Sequence, residues 1–171
     1  MKKFITTTEI NELFGTNIVC KRITGASIDT RSLKKGNIFF AIKGLNTDGH
    51  KYLVEAEKKG ASIAFVNKKV KGIKIPQINV KDTSKALLKL ATKYRAQLKT
   101  QIVGITGSIG KTGTKDAINY LLRNEKDIFC SRKSFNNQYG LPLELLNMPR
   151  YTKYVFFEIG MNHSGEIKRL V

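Results

Sequence analysis

The stretch QIVGITGSIGKTGTKDAINYLLRN, from Gln101 to Asn124, constrains the fold more than any other part of the chain. An apolar run at 101–106 reads as a buried strand, a Gly-rich loop follows, and KTGTKDAINYLLRN reads as an amphipathic helix. Strand, glycine loop and helix in that order let backbone N–H groups and the positive end of a helix cradle phosphate. The loop departs from the strict nucleotide pattern G-x-x-x-x-G-K-[ST]. With Gly110, Lys111 and Thr112 as its end, the first glycine should stand at Ile105, whereas the nearest are Gly104 and Gly107. That argues against a standard kinase or GTPase loop, not against phosphate binding. Lys111 can reach the β- and γ-phosphates, and the Thr112 hydroxyl can ligate Mg2+.

The remaining pattern predicts α/β architecture. Thr6-x-x-Glu9 is a capping box opening a short helix that stops near Gly15. Residues 26–31 and 37–42 read as strands joined by the Lys34-Lys35-Gly36 turn. DGHKYLVEAEKKGA gives a helix ended by Gly60, and 62–66 and 75–80 give two further strands. Over 83–98, Ala86, Leu87, Leu90, Ala91, Tyr94 and Leu98 share one helical face, which reads as core. In the second half, 127–130 reads as a short strand and YGLPLELLNM as a helix. YVFFEIG, at 154–160, reads as a strand buried on both faces of a parallel sheet. The expected boundary lies at Lys99-Thr100, giving domains 1–99 and 100–171. The final SGEIKRLV begins a helix at which the chain stops, as though cut inside a domain.

Lys and Arg number 31 against 13 acids, a net charge of +18 over 171 residues. Such charge suits a nucleic-acid surface or a polyanionic substrate. Most of it is lysine scattered singly and in pairs, without clustered Arg and interleaved aromatics, which favours an ordinary lysine-rich surface over nucleic acid. Cys20 and Cys130 are isolated, so neither a metal site nor a disulfide framework follows. The start, MKKFITTTEINELFG, lacks the apolar run of a signal peptide, and no stretch has the length of a membrane span. A cytoplasmic protein with no membrane insertion is expected.

Glu158 follows YVFF near the carboxyl end of its strand, where open α/β sheets gather ligands, and a carboxylate there can hold Mg2+. A solvent-facing glutamate is the plain alternative, made the minor one by the loop at 105–116. SFNNQYGLP supplies Asn136 and Asn137 before a Gly and a Pro, which alone is a turn. GMNHSGE brings Asn162, His163 and Glu166 just after the Glu158 strand. His163 can contact phosphate, metal or substrate, or cap the next helix.

Taken together, GITGSIGKTGTKD, SFNNQYGLPLELL and FFEIGMNHSGEI resemble the central domain of the Mur ligases. SIDTRSLKKGNIFFAIKGLNTDGHKYLVEAEKKGA is similar to the family's N-terminal UDP-substrate domain, with its D-[ST]-R…G…FFA…G…DGH pattern. MNHSGEI resembles the branch that adds D-alanyl-D-alanine rather than the one adding the third peptide residue. The resemblance implies a small UDP-MurNAc-peptide domain followed by the start of a P-loop-type parallel-sheet ATPase domain. It implies ATP and Mg2+ as cofactors, and UDP-MurNAc-tripeptide and D-alanyl-D-alanine as substrates of a monomeric ligase working through an acyl-phosphate. The alternatives are a related Mur ligase adding the third peptide residue and a non-catalytic nucleotide-binding module.

By the same resemblance Gly107, Ser108, Ile109, Gly110, Lys111, Thr112 and Gly113 form the ATP loop, with Asn136 and Asn137 near the nucleotide. Lys111 and Glu158 are the implied catalytic residues, and Thr112 and Glu158 the implied metal ligands. Asp29, Thr30, Arg31, Gly44, Leu45, Asn46, Thr47 and His50 are expected to line the UDP-sugar site, with Asn162 and His163 on the substrate side. Relatives carry Asn or Ser where this chain has Ile109, and Thr or Ser where it has Gly113, so the grip here is expected from backbone amides, Lys111 and Thr112. The family continues into a carbamylated lysine, a further metal-binding histidine and a domain for the incoming amine. These 171 residues are therefore expected to be an amino-terminal part, inactive as a ligase alone.

Overall fold

The computed structural model describes residues 4–20, 22–44, 47–131 and 139–160. Helix α1 (Thr7–Phe14) opens on a reciprocal cap: the Glu9 amide donates to Thr6 Oγ1 at 3.4 Å, and the Thr6 amide donates to Glu9 Oε2 at 2.7 Å. Four strands follow, β1 (Gly25–Ser27), β2 (Asn37–Phe40), β3 (Ile63–Val66) and β4 (Gln77–Asn79), paired in that order and all parallel. A 3₁₀ turn (Gly49–Tyr52) running into α2 (Leu53–Lys58) lies between β2 and β3, and α3 (Thr83–Ala96), capped by Asp82, follows β4.

Period-two alternation sorts the buried strand residues by face. Ile38, Phe40, Ile63, Phe65 and Ile78 pack with the Ala86–Tyr94 stripe of α3, while Phe39, Ala41, Ala64 and Val66 pack with Leu53 and Ala56 of α2. Phe40 and Phe65, partners in register, stack at 4.7 Å between ring centres. Each such side chain contributes about 1.5–3 kcal/mol through burial.

One expectation fails in this half: residues 28–31 leave the strand. The turn at Lys34-Lys35-Gly36 is present, but β1 and β2 run parallel, so it does not close a hairpin. The chain instead returns through consecutive tight turns, Ser32 N–H donating to the Asp29 carbonyl, Leu33 N–H to Thr30 and Asn37 N–H to Lys34. Period-two patterning is the same for parallel and antiparallel pairs, so the sequence does not distinguish them.

The second sheet is parallel, in the order β5 (Gln101–Ile105), β7 (Tyr154–Glu158), β6 (Ile128–Cys130). Helix α4 (Lys111–Leu121) packs on this sheet, and α5 (Gly140–Asn147) precedes β7. The expectation of a buried strand at 101–106 is not met: Gln101 to Gly104 are exposed. β7 occupies one flank of β5 and nothing among the described residues pairs with the other, so an apolar composition there does not amount to burial. On α4 the apolar face is likewise open, with Tyr120 and Leu121 exposed and Lys115 its buried residue.

The two sheets share one core. Leu143, Leu145, Leu146, Met148, Val155 and Phe157 join the cluster that contains Leu87, Leu90 and Tyr94. Polar contacts reinforce it: Tyr94 donates its hydroxyl to the Met148 carbonyl at 2.8 Å, and Thr100 donates to the Thr152 carbonyl at 2.7 Å. Burial raises the Tyr94 pKa, and the bond keeps that hydroxyl satisfied.

Candidate nucleotide and nucleotide-sugar sites

β5 ends at Ile105, the loop spans residues 106–110, and α4 starts at Lys111. Gly110, the N-cap, has φ of 82°, a left-handed conformation that glycine adopts without a Cβ penalty. It supplies no side chain to the helix end, which leaves the first-turn amides available to an anion. Lys111 Nζ donates to the Gly107 carbonyl at 2.6 Å, so its ammonium lies over the loop. Ser108 and Gly113 are exposed, and Ile109 is 91% exposed. A Cβ at Gly113 meets nothing within 4 Å, so steric room does not account for that glycine.

Parallel pairing sets Ile105 opposite Glu158, which brings the carboxyl end of β7 beside the loop. Thr112 Oγ1 donates to Glu158 Oε1 at 2.9 Å. Glu158 is buried at 5% exposure, its amide donates to Ser131 Oγ at 3.2 Å, and its Oε2 has no hydrogen-bond partner among the described residues. A buried carboxylate oxygen without a partner is costly unless a cation or donor completes it. No cage of three His, Cys, Asp or Glu side chains occurs among the described residues. One hydroxyl and one carboxylate fit a hard cation that takes its other ligands from phosphate and water, as Mg2+ does.

The other candidate residues gather at the carboxyl ends of β1 and β2, neighbouring parallel strands. Arg31 is highly exposed and holds Asp29 through Nε and Nη2, the latter at 2.6 Å from Oδ2. The Asp29 bonds raise the Arg31 pKa. Thr30 is buried: its side chain bonds the Glu55 carboxylate, and its carbonyl accepts from Lys59 Nζ at 2.8 Å. Lys59, then Thr30, hold the Glu55 carboxyl below its ordinary range. The loop at 29–31 is thereby fastened to α2, which continues the turn containing His50.

Gly44 N–H donates to the Thr47 carbonyl at 2.8 Å. His50 lies just beyond, on the 3₁₀ turn. Leu45, Asn46, Asn136, Asn137, Asn162 and His163 lie outside the described residues.

Three contacts at or beside these sites went unread in the sequence. Ser131 seats the Glu158 backbone, and Lys115 is buried one helical turn beyond Lys111, with Nζ 2.9 Å from Asp116 Oδ1. The i, i+4 spacing of Lys111 and Lys115 was the available signal. Asn147 bonds both backbone groups of Ala26, at 3.1 and 2.9 Å, a contact between distant segments that no local pattern announces. No helix among the described residues is long and apolar enough to cross a membrane.

Comparisons with known proteins bear on the family and the fold. Residues 22–95 match the model of the Mur ligase family, catalytic domain, and residues 105–171 match the Mur ligase middle domain. A UDP-N-acetylmuramoyl-tripeptide–D-alanyl-D-alanine ligase of Rickettsia prowazekii is 43% identical over 144 residues, 84% of this chain and 32% of that protein. The enzyme of that name from Bacillus subtilis is 37% identical over 86% of this chain and 33% of its own length. The chain therefore spans about a third of these relatives. Among solved structures, MurF from Acinetobacter baumannii superposes with a TM-score of 0.80 at 28% identity, covering 99% of this chain and 39% of that one. MurF from Thermotoga maritima in complex with ADP gives 0.60 at 30% identity, over 78% of this chain and 31% of that one. With two of the family's domain models matched in order along it, and MurF structures sharing its fold, the chain belongs to the Mur ligase family.

Proposed function

We propose that this chain is the nucleotide-handling part of an ATP-dependent ligase that adds D-alanyl-D-alanine to UDP-MurNAc-tripeptide in the cytoplasm. The observation that carries the reading is the Thr112–Glu158 contact beside the glycine loop, with Glu158 Oε2 buried and unpartnered among the described residues. In this reading residues 1–99 hold the UDP-sugar and residues 100–171 begin the ATPase domain, with the whole enzyme acting as a monomer.

The loop amides and the N-terminus of α4 receive the ATP phosphates, and Lys111 turns from the Gly107 carbonyl to the β- and γ-phosphates. Thr112 and Glu158 hold Mg2+, which when bound offsets charge on the phosphates. The tripeptide's terminal carboxylate oxygen attacks the γ-phosphorus, the bond to the β-phosphate oxygen breaks, and ADP leaves. The D-alanyl-D-alanine amine then attacks the acyl carbon; phosphate departs with the bonding pair and the amine loses a proton. Lys111 serves the first step by neutralising charge that grows on the transferring group. Arg31, Gly44 and Thr47 bind the uridine-nucleotide end, and the exposed guanidinium suits a diphosphate.

The test is titration of the 171-residue chain with ATP, with Mg2+ or with EDTA, and separately with UDP-MurNAc-tripeptide. Saturable binding of both, with ATP affinity rising on Mg2+ addition and falling about tenfold to a hundredfold in Lys111→Ala, is the expected result. A folded chain that binds neither nucleotide overturns the reading.

A further inference from the structure

Three consecutive residues, Asp48, Gly49 and His50, cap and open the 3₁₀ turn just after Thr47. Lys43 and Asp48 pair as an antiparallel bridge, and Gly49 N–H donates to the Ile42 carbonyl at 2.9 Å. Gly49 lies against the continuation of β2 so closely that a Cβ there would come within 2.8 Å of Ala41 Cα and its carbonyl carbon. Backbone on that side cannot give way, so glycine is required by close approach. Asp48 caps the 3₁₀ turn by accepting from the His50 amide at 3.0 Å.

The His50 ring closes the arrangement. Asn67 N–H, just past β3, meets Nε2 at 3.1 Å, and Nδ1 lies 2.7 Å from Asp48 Oδ1. A backbone amide can only donate, so Nε2 accepts and carries no proton. The neutral ring then has its hydrogen on Nδ1, donated to the Asp48 carboxylate. The backbone amide of His50, then its ring, hold the Asp48 carboxyl below its ordinary range. With the side chain 12% exposed and both nitrogens engaged, the ring offers no free nitrogen to a ligand.

We propose that His50 is a positioning residue: as the Nδ1-protonated tautomer it ties Asp48, which follows Thr47 and pairs with Lys43, to Asn67 just past β3. It sets where Gly44 and Thr47 stand without touching the ligand. This differs from the expectation that His50 lines the sugar site, and it rests on the reading of Gly44 and Thr47 as nucleotide-sugar contacts. The clamp explains the Asp-Gly-His run as one device: a cap, a close approach and a ring-mediated tie to the segment after β3.

The test combines ring-nitrogen NMR of the 15N-labelled chain, with and without UDP-MurNAc-tripeptide, with amide exchange at Asn67 and binding by two variants. The His50 signals, assigned by their loss in His50→Gln, are expected to show a bare Nε2 and a protonated Nδ1, unchanged on saturation. His50→Ala should speed Asn67 exchange and weaken binding by about tenfold. In His50→Gln the amide oxygen replaces Nε2 as acceptor, so both should return to within about threefold of the parent. An Nε2-protonated ring, ring signals that move with ligand, or His50→Gln binding as weakly as His50→Ala despite restored Asn67 exchange each overturn the proposal. Absence of binding by the parent chain overturns the nucleotide-sugar reading and the positioning role with it. The wrong tautomer beside normal binding overturns the His50 clamp alone.

Discussion

Thr112 and Glu158, 46 residues apart, meet through a 2.9 Å hydrogen bond that joins the first turn of α4 to the end of β7. The contact follows from topology: parallel pairing of β5 with β7 puts Ile105 and Glu158 side by side, and the helix starting beyond the loop lowers Thr112 onto the carboxylate. One carboxylate oxygen is then occupied by a hydroxyl that a cation can displace or share, and the other has no hydrogen-bond partner among the described residues.

From this pair comes the first prediction. Thr112→Val and Glu158→Gln should each remove the Mg2+-dependent gain in ATP affinity, by about tenfold or more, as expected for a lost contact to a charged group of ~1.5–3 kcal/mol. Affinity in EDTA should change little. Titrations with and without Mg2+ measure both, and an undiminished Mg2+ gain in Glu158→Gln would remove the metal role of that residue.

Lys111 makes a different contribution, because its ammonium lies over the loop beside Gly107 and not at the carboxylate. Lys111→Ala should weaken ATP binding about tenfold to a hundredfold both with Mg2+ and in EDTA, since the lost interaction is a charge-assisted bond to phosphate. Equal affinity in the variant and the parent sinks the assignment of this loop.

These sites were legible where the physics is local. The capping box at Thr6 and Glu9, the stop at Gly15 and the glycine loop ahead of α4 each depend on residues within one or two turns of chain. What depends on distant partners was not. An apolar run such as QIVGIT does not say whether anything covers it, and β5 is exposed. The Lys34-Lys35-Gly36 turn does not say which way the strands run, and β1 and β2 are parallel. Lys115 reads as a solvated helix lysine until the helix is docked, and then it is buried. The His50 ring meets the Asn67 amide 17 residues away, a contact that no local pattern announces.

Arg150 and Glu9 give a pH prediction. Arg150 Nη2 lies 2.6 Å from Glu9 Oε1, with both side chains largely buried, and the guanidinium stacks 5.0 Å from the Tyr94 ring centre. Burial alone raises the Glu9 pKa, but bonds from Thr6 and Arg150 outweigh it and hold it below 4.5. A folded-state pKa below the unfolded one means stabilisation that is complete above the unfolded value and lost as pH falls through the folded value. Glu9→Gln should therefore lower the thermal midpoint near neutral pH, and the gap from the parent should close on acidification below the ordinary glutamate range. Thermal melts across that range decide it; a gap independent of pH contradicts the ion-pair account.

Asn147 tests how firmly the two sheets are joined. Its amide accepts from Ala26 N–H at 3.1 Å and donates to the Ala26 carbonyl at 2.9 Å, so it occupies the free edge of β1 as a neighbouring strand would. A third bond, to the Leu143 carbonyl at 2.8 Å, fixes the side chain on its own helix. Asn147→Leu keeps the bulk and removes all three bonds, stranding both groups of Ala26 against an apolar side chain. The expected loss is ~2–3 kcal/mol, since an unmade bond in a protected place costs more than a made one contributes. Urea unfolding of parent and variant measures it, with an unchanged slope showing that the same surface is exposed. Ala26 lies three residues before Asp29, so the same variant should also loosen the 29–31 loop and weaken UDP-MurNAc-tripeptide binding more than ATP binding. Equal weakening of both ligands would mean that Asn147 supports the fold as a whole and not the β1 edge in particular.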